Sequence, residues 1–525
     1  MKKSLHLLLT CFFVLSTLAS YGQTQTLTGF KSFSKKALTP IYDGSEVKGY
    51  TMFYRADKAD KKNDNFGLDF YDQNLQKVKT VLIPKERHFT HLIRSAYNGE
   101  AFSFYFYNAK SRSLELDVFD KSLTKIASKR FEDISKADMQ MAGQEIQMPG
   151  NGENKAMGGL NIYAVPGKGF IKNGFTGMMK GYSLEMLDNK LNLLWTSKSD
   201  EKSKEYESVL INEVTNNYVL ATLARRPNMM SKKFSFSMIA IDIKTGKTLF
   251  DIAIENDSKE QLSLSSFTFD EVNKEFVAMG EYYALDDKPL INKSQGFYVK
   301  RVGTDGKEKG KQFYSWSKDI NPLLPAAAKK SIEEGFVNFV HKIIRSADGK
   351  QHIVAEQYKV KADGVGIALA VMGGGTSTAK GVIGNMMIYS LNADHKIDKV
   401  SFFEKDQTDW PLIPGSGFYG AGLIGHVINM TGGFDYQFTQ LEKDQISFNT
   451  AYLNYRDVKN SKVDEKTLVN IIYSGEAAPV TDKMKMTLAK GIRSYVYPAK
   501  PGYVLVLNNE VEASKLEMKL VKLNK

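Results

Sequence analysis

The feature that most constrains this chain is a hairpin that keeps returning. A run of alternating apolar residues meets a turn built from Asp, Asn or Gly, and a second strand comes back. Residues 66–71 lead into Asp72-Gln73-Asn74 and return over 78–83. The same sequence of events surrounds Asp120-Lys121-Ser122, Asp188-Asn189-Lys190, Lys244-Thr245-Gly246, Gly303-Thr304-Asp305-Gly306 and Asn392-Ala393-Asp394. Period-two alternation bounded by turn formers is the mark of paired β-strands. A further strand pair precedes several of these hairpins, as at 91–96 with 101–107, 209–214 with 218–224, and 336–345 with 352–360. Four strands per unit, recurring about every 50 to 70 residues, is the arithmetic of a β-propeller blade. A blade buries its faces only against its neighbours, so one or two could not stand alone.

The predicted architecture is therefore all-β: a propeller of eight, or seven, four-stranded blades forming one body over residues 23–525. The last set of strands, 495–498, 503–507 and 516–523, is one strand short. Residues 26–33 are expected to supply it, so that the two ends of the chain close the ring and remove its exposed edges. A pair of β-sandwiches is the structural rival. Four stretches break the rhythm and are expected to be loop insertions: 132–159, 320–334, 362–385 and 415–433. The second contains a short helical run, Ala326-Ala327-Ala328-Lys329-Lys330. In a propeller such insertions would gather on one face or rim.

The N-terminus has the three parts of a secretory signal over residues 1–22. Lys2 and Lys3 precede an apolar run at 7–19, and Ser20-Tyr21-Gly22 offers small residues before Gln23. About 13 residues is too short for a spanning helix, which needs roughly 20. Thr10 is a poor residue before a lipidated cysteine, so Cys11 does not suggest a lipoprotein. The expected address is the periplasm or the extracellular space, with association at the outer membrane. Cys11 is the sole cysteine, so a processed chain would hold no disulfide, thiolate nucleophile or cysteine-bound metal. The formal charge is +12, and +10 once Lys2 and Lys3 are gone. Such an excess favours anionic partners. Bases and acids are interleaved throughout, however, which describes a solvated surface better than a nucleic-acid arm. No later stretch is long and apolar enough to span a membrane, and a monomer is expected.

The stretch Ala240-Ile241-Asp242-Ile243-Lys244-Thr245-Gly246-Lys247-Thr248-Leu249-Phe250 resembles the blade turn of quinoprotein-type propellers, with Phe250 in the tryptophan position. The resemblance covers about a dozen residues. It implies that Asp242 and Thr245 fold the turn, Gly246 takes a positive φ and Phe250 docks on the next blade. Taken whole, the chain is similar to secreted Bacteroidota proteins of unknown function, a resemblance that brings an address and no activity.

Catalytic motifs are missing: HExxH, an EF-hand loop and GxSxG do not occur. The six histidines outside the signal show no chelating pattern. His88 and His91 are expected at the start of a strand, pointing to opposite faces. Gly373-Gly374-Gly375 lacks the spacing of a phosphate loop. No cofactor and no metal are expected. Most turn aspartates are explained by the turns themselves. Asp409-Trp410 and Asp435-Tyr436 flank the second Gly-rich stretch and form the candidate ligand site. Trp410 and Tyr436 could stack on a sugar ring while Asp409 or Asp435 bonds its hydroxyls, although ordinary blade packing explains the aromatics more simply. The leading expectation is an exported cell-envelope binding or scaffold protein whose loops meet a protein or glycan. A propeller glycan hydrolase with a carboxylate pair is the alternative. A quinone- or metal-dependent oxidoreductase is weaker still.

Overall fold

The computed structural model describes residues 23–30, 32–147, 160–176, 180–228, 230–231, 235–254, 260–287, 292–363, 379–412, 421–456, 463–475, 478–489 and 492–524. The expected signal lies outside them, as do parts of three of the four expected insertions.

Eight antiparallel sheets are arranged as a propeller. In order they span 32–86, 90–131, 162–198, 206–253, 260–315, 337–411, 436–489 and 493–522, here blades 1 to 8. Blade 8 takes its outermost strand from the other end of the chain: Thr24–Thr28 pairs with Lys515–Lys519. The closing strand was expected at 26–33. It ends earlier because Ser32–Asp43 is already the innermost strand of blade 1.

Each junction between neighbouring blades has its own apolar cluster, and the clusters run once around the ring. This arrangement explains a departure from simple alternation. Ala101–Asn108, the second strand of blade 2, is buried along nearly its whole length. Phe102, Phe104 and Phe106 face blade 1, while Ala101, Tyr105 and Tyr107 face blade 3. A strand sandwiched on both sides needs apolar residues at both parities. The outermost strand, Lys125–Phe131, has only one covered side and is largely exposed.

Short turns at one end of the blades share a local design. Asp72, Asp120, Asp188 and Asn392 each accept backbone N–H bonds through Oδ1, from Gln76, Thr124, Asn192 and Lys396 among others, at 2.8–2.9 Å. Three residues on, the backbone is left-handed at Leu75, Leu123, Leu191 and His395. The turn at Asp242 matches the geometry implied by its sequence. Its Oδ1 accepts from the Thr245 backbone N–H and hydroxyl, both at 2.8 Å. Gly246 has φ +70°, and Phe250 meets Phe276 of blade 5 with ring centroids 5.1 Å apart.

All four insertions join strands at the opposite end of the blades, which is the insertion face. They are less loop-like than expected. Residues 132–159 include helix α1 (Lys136–Gln147), and 320–334 includes α2 (Ala326–Glu333). The two Gly-rich stretches contribute the start of a long blade 6 strand, Ala379–Leu391, and helix α3 (Ala421–Thr431). Glycine there serves close packing: a Cβ on Gly425 would come within 2.6 Å of the Tyr358 hydroxyl.

Candidate functional site

Blade 6 differs from the others because its second and third strands run on past the ring. Gln351–Ala362 and Ala379–Leu391 continue pairing out to Ala362↔Ala379. A short strand, Thr408–Pro411, adds to the free edge of this extension, with Val382 opposite Asp409 and Gly381 opposite Trp410. Strand geometry sends consecutive side chains to opposite faces, and this divides the candidate residues.

Trp410 faces α3. Its indole N–H donates to the Thr431 hydroxyl at 2.9 Å, and its ring lies so close to Gly433 that a Cβ there would approach within 2.6 Å. Tyr358, Ile383, Leu412, Ile424 and Ile428 complete the packing on this side. Asp409 faces away, exposed and ion-paired with Lys380. It lines an open cleft of about 350 Å³ together with Lys359, Lys361, Lys380, Val382 and Gln407, with Glu334 on one side.

Asp435 and Tyr436 belong to a different environment, buried where blade 6 meets blade 7. The Asp435 carboxylate is ion-paired with Lys405 and accepts the Thr408 hydroxyl at 3.0 Å. The same ammonium lies 3.2 Å from Oε1 of Glu356, and neither the Lys405 nor the Glu356 side chain has any exposure. Glu356 also accepts the Tyr436 backbone N–H at 3.1 Å and contacts His341 Nε2 at 3.1 Å. The Tyr436 ring stacks on His341, with centroids 4.3 Å apart and planes 9° from parallel. Its hydroxyl is used within the blade, by Thr439 at 3.1 Å.

One ammonium thus serves two buried carboxylates. Burial, reinforced by the charge on Glu356, pushes Asp435 up to about 6 against the pull of Lys405. Burial also opposes ionisation of Glu356, but Lys405 and His341 outweigh it and hold that carboxyl below its usual range. For Lys405 burial is again the largest influence and favours the neutral amine. The two carboxylates overcome it and keep the ammonium charged. Within the cluster Asp435 is thus the carboxyl that burial makes harder to ionise, and Glu356 the one held charged. In blade 5, Glu281 accepts the Tyr283 hydroxyl at 2.7 Å and the Ser294 hydroxyl at 3.0 Å, and burial raises its pKa.

The structure thus brings Asp435 and Tyr436 together at one junction and places Asp409 and Trp410 on opposite faces of the neighbouring strand. No single sugar could meet all four side chains in this arrangement. Sequence reasoning missed Glu356, Lys405 and His341. They come from three separate strands or connections, and no local spacing marks them. His88 lies in the turn before the strand Thr90–Tyr97, with φ +67°, rather than at the start of the strand.

The molecule is an eight-bladed β-propeller that carries its insertions on one face and a buried carboxylate–ammonium cluster beneath them. The chain belongs to DUF6770, a family of unknown function whose model matches residues 1–524. No curated protein matches it. Among solved structures it is similar to prolyl endopeptidases, at 8% identity and TM-score 0.35, covering 90% of this chain and 54% of theirs. It is similar to the tricorn protease at 9% identity and TM-score 0.35, covering 87% of this chain and 36% of that one. It is also similar to the propeller domain of the Trilobed protease of Pyrococcus furiosus, at 11% identity and TM-score 0.31, covering 72% and 96% respectively. The chain spans about half the length of the prolyl endopeptidases and about a third of the tricorn protease.

Proposed function

We propose that the protein is an exported cell-envelope binding or scaffold module, which holds an envelope protein or glycan of anionic character on its insertion face. The observation that carries this reading is the extension of blade 6. One of its sides is sealed by α3, and the other is left open around a polar cleft where three lysines, Lys359, Lys361 and Lys380, outnumber the two acids Glu334 and Asp409 that pair with the first and last of them. Such a surface suits an anionic partner held by several modest, salt-sensitive contacts. The hydrolase reading needs two acids with access to substrate. Glu356 and Asp435 are sealed around Lys405, and Asp409 lies on the other side of the strand that contacts Asp435.

The test is binding of acidic and neutral glycan panels, together with capture from envelope extract, by wild type and by the triple variant K359A/K361A/K380A. Salt-sensitive retention of an acidic ligand, or recovery of one protein in near-equal amount, is expected for wild type and not for the variant, with unchanged circular dichroism. Turnover of any glycan that disappears in Asp409→Asn or Asp435→Asn would replace this reading with the hydrolase.

A further inference from the structure

The face of short turns, opposite the insertions, holds a second polar cluster. In blades 1, 2 and 3 the left-handed turn residue is Leu75, Leu123 or Leu191, and each is buried in the junction with the preceding blade. Blades 4 and 5 place Gly246 and Gly306 there. Blade 6 places His395, with φ +61° and a side chain 1% exposed. The turn itself does not require a histidine, since leucine or glycine fills the position elsewhere.

His395 reaches back to blade 5, where it meets Asp270 and Glu275. One ligand atom from each of the three lies within 4.8 Å of the others, and all three residues are buried. His395 Nε2 and Glu275 Oε1 are 3.7 Å apart, too far for a hydrogen bond, and neither has a hydrogen-bond partner. Buried polar atoms of this kind are ordinarily satisfied by a partner, a water or an ion, and here two of them face each other across the same gap. The Gln351 amide Nε2 stands 2.9 Å from the other ring nitrogen, Nδ1, and the two amide atoms can exchange places by a half-turn of the group. With the carboxamide turned so that its oxygen accepts from Nδ1–H, the Nε2 lone pair is left facing Glu275, the orientation seen in metal-bound histidines.

We propose that Asp270, Glu275 and His395 form a divalent-cation site that ties blade 5 to blade 6. One imidazole with two carboxylates suits a first-row ion such as Zn²⁺ or Mn²⁺ better than Ca²⁺. Three cations compete for the same acids. Arg345 lies 3.4 Å from Asp270 and is mostly buried, so it stays beside that carboxylate when an ion enters. Arg301 and Lys309 each stand 3.7 Å from Glu275, with side chains 37% and 48% exposed, so both can swing into solvent when an ion enters. Asp270 is already fixed in orientation, because its Oδ1 takes the backbone N–H groups of Val272 and Asn273 at 2.9 and 3.0 Å.

The experiment is calorimetric titration of Zn²⁺ and Mn²⁺ into the chelator-stripped protein lacking residues 1–22, with thermal melts alongside. One ion per chain and a higher Tm are expected. Binding should vanish in His395→Leu, which restores the side chain used in blades 1 to 3 and should therefore fold, and in Glu275→Gln. Gln351→Leu should weaken binding about 10- to 100-fold, and Lys309→Gln should tighten it by removing a competitor. Undiminished binding in a folded His395→Leu would overturn the proposal, as would no binding by wild type. In the latter case the cluster is a polar plug satisfied by water.

Discussion

The junction between blades 1 and 2 and the junction between blades 6 and 7 have the same backbone plan and differ in how many charges they bury. The first is fastened by phenylalanine. Phe53 meets Phe106 with ring centroids 5.4 Å apart and Phe104 at 6.2 Å, and Phe70 meets Phe102 edge-on at 4.7 Å. The second keeps an apolar cluster around Tyr452 and Ile471 but also buries Glu356, Asp435 and Lys405. A buried ion pair crosses the first junction too, Lys85 of blade 1 with Asp117 of blade 2 at 2.7 Å, but there one ammonium meets one fully buried carboxylate, whereas Lys405 serves two. Burying three charges costs several kcal/mol in desolvation that their mutual attraction only partly offsets. The cluster at the second junction also has a place in the blade 6 extension. It links the edge strand of the blade 6 extension, through Thr408, to the first strand of blade 7.

The largest expected effects come from cutting each junction at its centre. Phe104→Ala should cost about 3–5 kcal/mol and should do so equally at pH 5 and pH 7.5 in urea titrations. Lys405→Met should cost a similar amount, about 3–5 kcal/mol, at pH 7.5, because two buried carboxylates lose their ammonium. At pH 5 the loss should shrink as those carboxyls take up protons. Equal pH dependence in the two variants would erase the distinction between the junctions.

Asp435→Asn sharpens the same contrast with a smaller effect. The folded carboxyl titrates at about 6 against an ordinary 3.8, so as pH rises the unfolded chain releases its proton first. Wild type should lose stability from this group between about pH 4 and pH 6 and carry the full penalty above that. Two pH units at about 1.4 kcal/mol each give about 3 kcal/mol. Glu356 acts in the opposite sense below the usual carboxylate range, so the informative quantity is the difference between wild type and variant. That difference should grow in favour of the variant across this window. The smallest effect belongs to Asp409→Asn, an exposed pairing with Lys380, which should leave the unfolding midpoint where it was.

The ring was legible because each blade announces itself locally. Asp72, Asp120, Asp188 and Asn392 write the turn into consecutive residues, and the strand missing from blade 8 could be sought at the other terminus. The Gly-rich stretches misled because glycine is read as a loop former, whereas Ile424 and Ile428 of α3 sit one turn apart and dock on the blade 6 extension. Tertiary packing decided those elements, and propensity did not. The candidate site was half legible. Asp435 and Tyr436 drew notice as an acid beside an aromatic, but their partners Glu356, Lys405 and His341 meet only once the blades have stacked. His395 was hidden for the same reason, since its carboxylates stand on another blade.

The pairing of Thr24–Thr28 with Lys515–Lys519 gives the circle a seam. Blades 1 to 7 can stack in the order in which they leave the ribosome, yet the assembly stays an open arc until Lys515–Lys519 emerges. The contact that locks it is the most distant in sequence and, by topology, the slowest to find. Five residues of one strand then act as a clasp, and a tag or partner that engages the segment next to Gln23 pulls directly on it.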